Sequence, residues 1–169
     1  MKSNFKIALG AAALIAAFSA SAVQRDITVT ASIDPSIEVT KADGSPLPAA
    51  VEMQYLPGKG LQPYQQQIKF WSNMEDRALN VSLASEPSLI DRAGANPIPL
   101  SISVNGQTLT TSATSFAYAT TFPGGLTNGS SAMPLVIAQK TPGVITSPAG
   151  TYSGIVSLVV TQATAPAGQ

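Results

Sequence analysis

Asp26-Ile27-Thr28-Val29-Thr30-Ala31-Ser32-Ile33-Asp34-Pro35 alternates apolar and polar side chains with a period of two. Ile27, Val29, Ala31 and Ile33 share one face and Thr28, Thr30 and Ser32 the other, which is the pattern of a β-strand with one buried side. Proline has no backbone donor and cannot continue a central ladder, so Asp34-Pro35 ends the strand. A strand of this kind either completes its own domain or fills a gap in another.

The residues before it read as a targeting segment. Lys2 and Lys6 give a basic start, Ile7 to Phe18 is an apolar run, and Ser19-Ala20-Ser21-Ala22 supplies the small residues that a signal peptidase accepts before Val23. A membrane-spanning helix would need about 20 apolar residues, and this run is shorter and followed by polar sequence. Residues 1–22 are therefore expected to be a signal peptide. No later stretch is long enough to cross a bilayer, so the mature chain is expected to be exported, soluble and free of an integral membrane segment.

Of 169 residues, the 147 that remain suit one domain with a full core. Seven basic residues, Arg25, Lys41, Lys59, Lys69, Arg77, Arg92 and Lys140, are scattered against nine acidic ones. That dispersal offers no basic patch for nucleic acid. Cysteine and histidine are both absent. An exported domain without cysteine holds together by burial and not by disulfides. Without either residue there is no imidazole base, no thiolate nucleophile and no soft ligand for a zinc or copper site. Serines and threonines are abundant, but no G-x-S-x-G elbow, Ser-x-x-Lys motif or phosphate loop accompanies them, and the carboxylates are dispersed. Catalytic residues, metal ligands and a cofactor are accordingly not expected, and the chain reads as no enzyme.

The rest of the chain reads as all-β. Short apolar or alternating segments lie at Ser36–Thr40, Ala50–Tyr55, Gln65–Trp71, Ala78–Ala84, Leu100–Val104, Gln107–Thr111, Ser115–Ala119, Leu135–Gln139 and Thr151–Thr161, separated by turns rich in proline and glycine. No sustained helical stripe interrupts them, so a sandwich or barrel is expected. Asn105-Gly106 between two alternating runs predicts a type I′ hairpin. Phe122 to Ser131 reads as an exposed loop. In the closing segment Tyr152, Val156, Leu158 and Val160 share one face while Ile155 and Val159 make the other partly apolar, which predicts a strand in the middle of the packed structure. Beyond about residue 162 an Ala, Pro and Gly tail is expected to fray.

Ile27-Thr28-Val29-Thr30-Ala31-Ser32-Ile33-Asp34-Pro35, Lys41-Ala42-Asp43-Gly44 and Leu47-Pro48 resemble the major pilins of class 5 fimbriae, the colonization factor antigen I group. So do Pro99-Leu100-Ser101-Ile102-Ser103-Val104 and Ala149-Gly150-Thr151-Tyr152-Ser153-Gly154-Ile155-Val156-Ser157-Leu158-Val159-Val160-Thr161, in the same order and at similar spacing. The alanine-rich signal and tail are similar to the cable-pilus branch of the group. The length matches a shaft subunit, since tip adhesins of such fimbriae resemble two-domain chains of roughly twice the size.

The resemblance implies an incomplete immunoglobulin-like sandwich, completed by a donor strand from a neighbouring subunit. Residues 23–35 would be the donor extension, with Ile27, Val29, Ala31 and Ile33 as plugs and Asp34 and Pro35 as the hinge; residues 36–169 would be the pilin domain. The acceptor groove would include Tyr152, Val156, Leu158 and Val160. Implied partners are identical pilin subunits, a periplasmic chaperone, an outer-membrane usher and a tip adhesin, and the implied location is the cell surface, in fimbriae. The alternative is a secreted monomeric β-sandwich binding module of lectin type, which would use its first strand internally. An ordinary strand terminator is an equally compatible reading of Asp34-Pro35.

Overall fold

Short runs between proline and glycine breaks leave the chain no route to a long helix, and the computed structural model is built almost wholly from antiparallel strands. It describes residues 36–164; the expected signal peptide, the expected donor extension with Ile27, Val29, Ala31, Ile33, Asp34 and Pro35, and residues 165–169 lie outside the described residues. The strands are β1 (Ile37–Lys41), β2 (Tyr55–Leu56), β3 (Gly60–Leu61), β4 (Tyr64–Ser72), β5 (Leu79–Leu83), β6 (Ser88–Asp91), β7 (Ile98–Val104), β8 (Gln107–Leu109) and β9 (Thr114–Phe116). One helical turn, α1 (Tyr118–Thr121), precedes β10 (Met133–Gln139), β11 (Tyr152–Ser153) and β12 (Leu158–Gln162).

Two sheets of unequal width face each other. The larger runs β1-β4-β10-β7-β6-β11, with β8 also paired to β7; the smaller is only β12-β5-β9. Alternation sets what lies between them. Ile68 and Phe70 of β4, Leu135 and Ile137 of β10 and Leu100, Ile102 and Val104 of β7 point inward and are buried, as are Leu79, Val81 and Leu83 of β5. Pairing keeps these residues abreast: Leu135 is opposite Val104, and Ile137 opposite Ile102. Phe70 and Phe116, on opposite sheets, bring their rings to 6.4 Å between centroids. This spacing suits a tilted aromatic pair and ties the layers together.

Turn chemistry holds where the sequence predicts it. Val104 pairs with Gln107 across Asn105 and Gly106, whose φ values of 50° and 76° are both positive as a type I′ turn requires. The 122–131 loop differs from expectation, because Phe122, Gly129 and Ser130 are buried. Phe122 sits in the core, and Ser130 Oγ accepts the backbone N–H of Phe70 at 2.9 Å, while Pro123, Gly124, Thr127, Asn128 and Ser131 face solvent. The predicted strand at 50–55 survives only as Tyr55 in β2, and Ser115–Ala119 is strand to Phe116 and then turns into α1. β6 falls where Pro87 and the turn at Arg92–Asn96 mask a four-residue strand.

The closing segment departs most. Thr151 to Thr161 is not one central strand but two short edge strands, β11 on the larger sheet and β12 on the smaller. The crossing occurs at Gly154, whose backbone lies so close to the carbonyl of Ser88 that a Cβ there would collide with it. Ser157 then rejoins a partner by accepting the N–H of Ala84 at 3.0 Å. Edge placement leaves the outward Ile155 and Val159 exposed, at 82% and 41%. At the C-terminal end of β12, Gln162 closes the ladder against Leu79, and Ala163 still donates to the carbonyl of Ala78. Since the Ser88 carbonyl is backbone and cannot swing aside, Gly154→Ala should destabilise the domain by about 1–3 kcal/mol. Chemical denaturation of parent and variant measures it, and an unchanged midpoint contradicts the account.

Candidate functional site: an open groove beside the last strand

Among the described residues, β12 pairs with β5 on one side only. Its inward residues line up with those of β5, Leu158 opposite Leu83 and Val160 opposite Val81, so β12 extends the core face of the smaller sheet by one strand. Beyond that strand the sheet stops, while the larger sheet continues underneath. The mismatch leaves a groove of about 1020 Å³. Its floor is the inner face of the larger sheet, with Leu89, Ile98, Leu100, Leu135 and Ile137; its lips are the irregular segment Leu47–Met53 and the segment Ser147–Val156 that carries β11.

Of the four predicted acceptor residues, Tyr152, Val156 and Leu158 line this groove. Val160 lines a second hollow of about 430 Å³ farther along the same edge, with Ile37, Met74 and residues 161–164. All four are half-buried, and Val156, Leu158 and Val160 pack against the core from its open side. The inward face of the closing segment is thus the predicted one, although its strand is broken. Periodicity had no means of finding the floor. Ile98, Leu100, Leu135 and Ile137 read as ordinary core positions, and only the order of the strands places them beneath an opening.

Two hydrogen-bonded features shape the Tyr152 end. The phenol of Tyr152 donates to the carbonyl of Pro148 at 2.7 Å, pinning the lip. Tyr152 pairs with Asp91, whose carboxylate organises the following turn by accepting the N–H of Ala95 at 2.8 Å, Nδ2 of Asn96 at 2.7 Å and the N–H of Ala93 at 3.0 Å. The Ala95 bond first, and then Asn96, hold this carboxyl below its ordinary value of 3.8. The groove is lined mainly by apolar side chains and borders the edge of β12 that has no ladder partner among the described residues. Apolar surface beside an unpaired strand edge is a setting in which an extended segment can add to a sheet.

The model of the family described as CS1 type fimbrial major subunit matches residues 23–161. The chain belongs to that family. It is 44% identical to a CFA/I fimbrial subunit of Escherichia coli over 167 residues, covering 94% of this chain and 98% of the relative. Against a CS1 fimbrial subunit of the same species it is 34% identical over 170 residues, covering 93% and 95%. Among solved structures, the CooA pilin subunit from enterotoxigenic Escherichia coli superposes with a TM-score of 0.67 at 23% identity, over 77% of this chain and 89% of that one. The fold is therefore the immunoglobulin-like pilin sandwich, as the resemblance implied.

Membership in the family settles the class of protein. The chain is the major structural subunit of a fimbria, assembled with identical subunits and displayed at the cell surface, and it is not an enzyme. The monomeric binding-module alternative is set aside by the same finding.

Because folding lowers the Asp91 pKa, the stability that this carboxylate contributes is present above the unfolded value and is lost as pH falls through the lower folded value. Asp91→Ala should lower Tm at pH 7, and the gap from the parent should close once the pH is well below 3.8. A constant gap across an acid titration of Tm would rule out the carboxylate as its source.

Proposed function

We propose that this major fimbrial subunit polymerises by donor-strand exchange: residues 23–33 of one subunit enter the groove beside β12 of the next, with Ile27, Val29, Ala31 and Ile33 facing the floor. The observation that carries the reading is that, among the described residues, the outer edge of β12 has no ladder partner and the part of the larger sheet beneath it is uncovered. An inserted strand would turn the three-stranded sheet into a four-stranded one, satisfying the edge and covering the floor in one step. The family match beginning at Val23 supports counting the extension as part of the mature subunit. Burying Ile27, Val29 and Ile33 would contribute roughly 5–9 kcal/mol at most.

Topology supports one direction of entry. Ile37 shares a hollow with Val160 to Thr164, so the extension leaves the domain beside the C-terminal end of β12. A strand entering antiparallel to β12 has its root at the Tyr152 end of the acceptor. The base of the donor subunit then abuts the far end of the acceptor, its own groove stays clear, and the chain can grow head to tail. Asp34 and Pro35 would form the hinge between the inserted strand and the donor's body.

Before insertion the bare edge and apolar floor need a cover. A periplasmic chaperone would supply it, an outer-membrane usher would catalyse the exchange, and a tip adhesin would occupy the end of the filament. Val29→Lys tests the plug assignment, since an ammonium is costly to desolvate in an apolar groove. Co-expressed with chaperone and usher, the variant should be exported yet form no filaments visible by electron microscopy. Filaments in parental amount would refute the placement.

A further inference from the structure

The root of the extension and the C-terminal end of β12 lie side by side, and this has a consequence for subunits that are not being assembled. Ser36 donates its N–H to Oδ1 of Asn73 at 3.0 Å, and Ile37 opposite Ser72 opens the β1–β4 ladder. Gln162 of β12 hydrogen-bonds through Nε2 to the hydroxyl of that same Ser72. Ile37, Val160 and Thr161 line one hollow of about 430 Å³. The first described residue is thus anchored beside the C-terminal end of β12, with the proposed donor segment preceding it. Eleven residues, 23–33, span about 36 Å when extended.

We infer that, in the absence of assembly partners, two mature subunits exchange extensions reciprocally to form a closed dimer, each extension lying in the other's groove parallel to β12. The inference rests on the donor-strand reading above. If the bodies meet base to base, each extension need travel only from its own Ser36 across to the partner's Val160, then run on toward the partner's Tyr152. That sense of travel is parallel to β12, opposite to the sense required for growth. The arrangement is isologous: both grooves are filled, no donor is left over, and nothing can add.

Entry into the chain's own groove would need a reversal within Asp34, Pro35 and Ser36. Proline fixes its own φ and pushes the preceding residue toward extended backbone, so these three residues disfavour a sharp reversal. A stiff hinge of this kind favours exchange between copies. Parallel pairing is also slightly weaker per residue than antiparallel pairing. The closed dimer is therefore a reserve that yields to the growing filament and not a competitor that traps the subunit.

Because the chain contains no cysteine, engineered pairs report cleanly. Ile33→Cys with Val160→Cys reports the parallel sense. Ile27→Cys with Val160→Cys reports the antiparallel one, because the six residues from 27 to 33 match the six from Gly154 to Val160. Mature protein refolded without chaperone or usher should oxidise to a dimer through the 33/160 pair and give no product through the 27/160 pair. In filaments the 27/160 pair should give interchain ladders. A 33/160 cross-link within one chain, a 27/160 product in unassembled protein, or no 33/160 product overturns the inference. Filaments without the 27/160 ladder would instead overturn the donor-strand reading itself. Sedimentation of the unsubstituted mature chain is independent of the cysteine variants: a dimer that Pro35→Gly converts to monomer is expected, and a parental monomer contradicts it.

Discussion

The edge of β12, unpaired among the described residues, is the feature on which the rest of the structure depends. A sheet edge presents unpaired N–H and C=O groups, and most folds blunt it with charge, a bulge or a covering loop. Here the edge borders an apolar floor formed by the inner face of a wider sheet, and the segments at its lips leave about 1020 Å³ between them. The core on the far side is closed in the ordinary way by Phe70, Phe116, Leu79 and Val81. Among the described residues, one side of the sandwich is finished and the other is not.

That asymmetry comes from a single local event, the crossing at Gly154. A continuous Thr151–Thr161 strand would have belonged to one sheet and left the other without a connection at this edge. Glycine lets the chain press against the backbone of Ser88, leave β6 and join β5 four residues later at Leu158. Tyr152 is thereby held at the groove and Val160 at the second hollow farther along the same edge. The anchoring of Tyr152 to Pro148, and of its partner Asp91 to the 93–96 turn, keeps the Tyr152 end of the groove in place with hydrogen bonds and not packing.

Much of this was legible in the residues. Period-two alternation located β1, β4, β5, β7 and β10, and Asn105-Gly106 named its own hairpin. The inward face of the closing segment was also readable, because Val156, Leu158 and Val160 alternate with polar or exposed positions. What alternation could not show was strand order. A strand apolar on both faces reads as central, yet Ile155 and Val159 are exposed because β11 and β12 are edges of different sheets. Ala50 to Gln54 has a strand-like pattern but no ladder partner among the described residues, since pattern states a capacity to pair and not the presence of a neighbour. Likewise the loop after α1 reads as solvent-facing from Phe122 to Ser131, whereas Phe122 and Ser130 reveal their burial only through tertiary contact.

A fimbria polymerised by the proposed exchange would derive its cohesion from completing folds, and its durability would be the kinetic stability of each completed sandwich. The most direct measurement is a density map of the assembled filament at side-chain resolution. The account predicts Ile27, Val29, Ala31 and Ile33 of one subunit lying antiparallel to β12 of the next, over Leu135 and Ile137, with Pro35 at the acceptor's Tyr152 end. A groove filled by any other segment, or left open with subunits joined only by surface contacts, would contradict it.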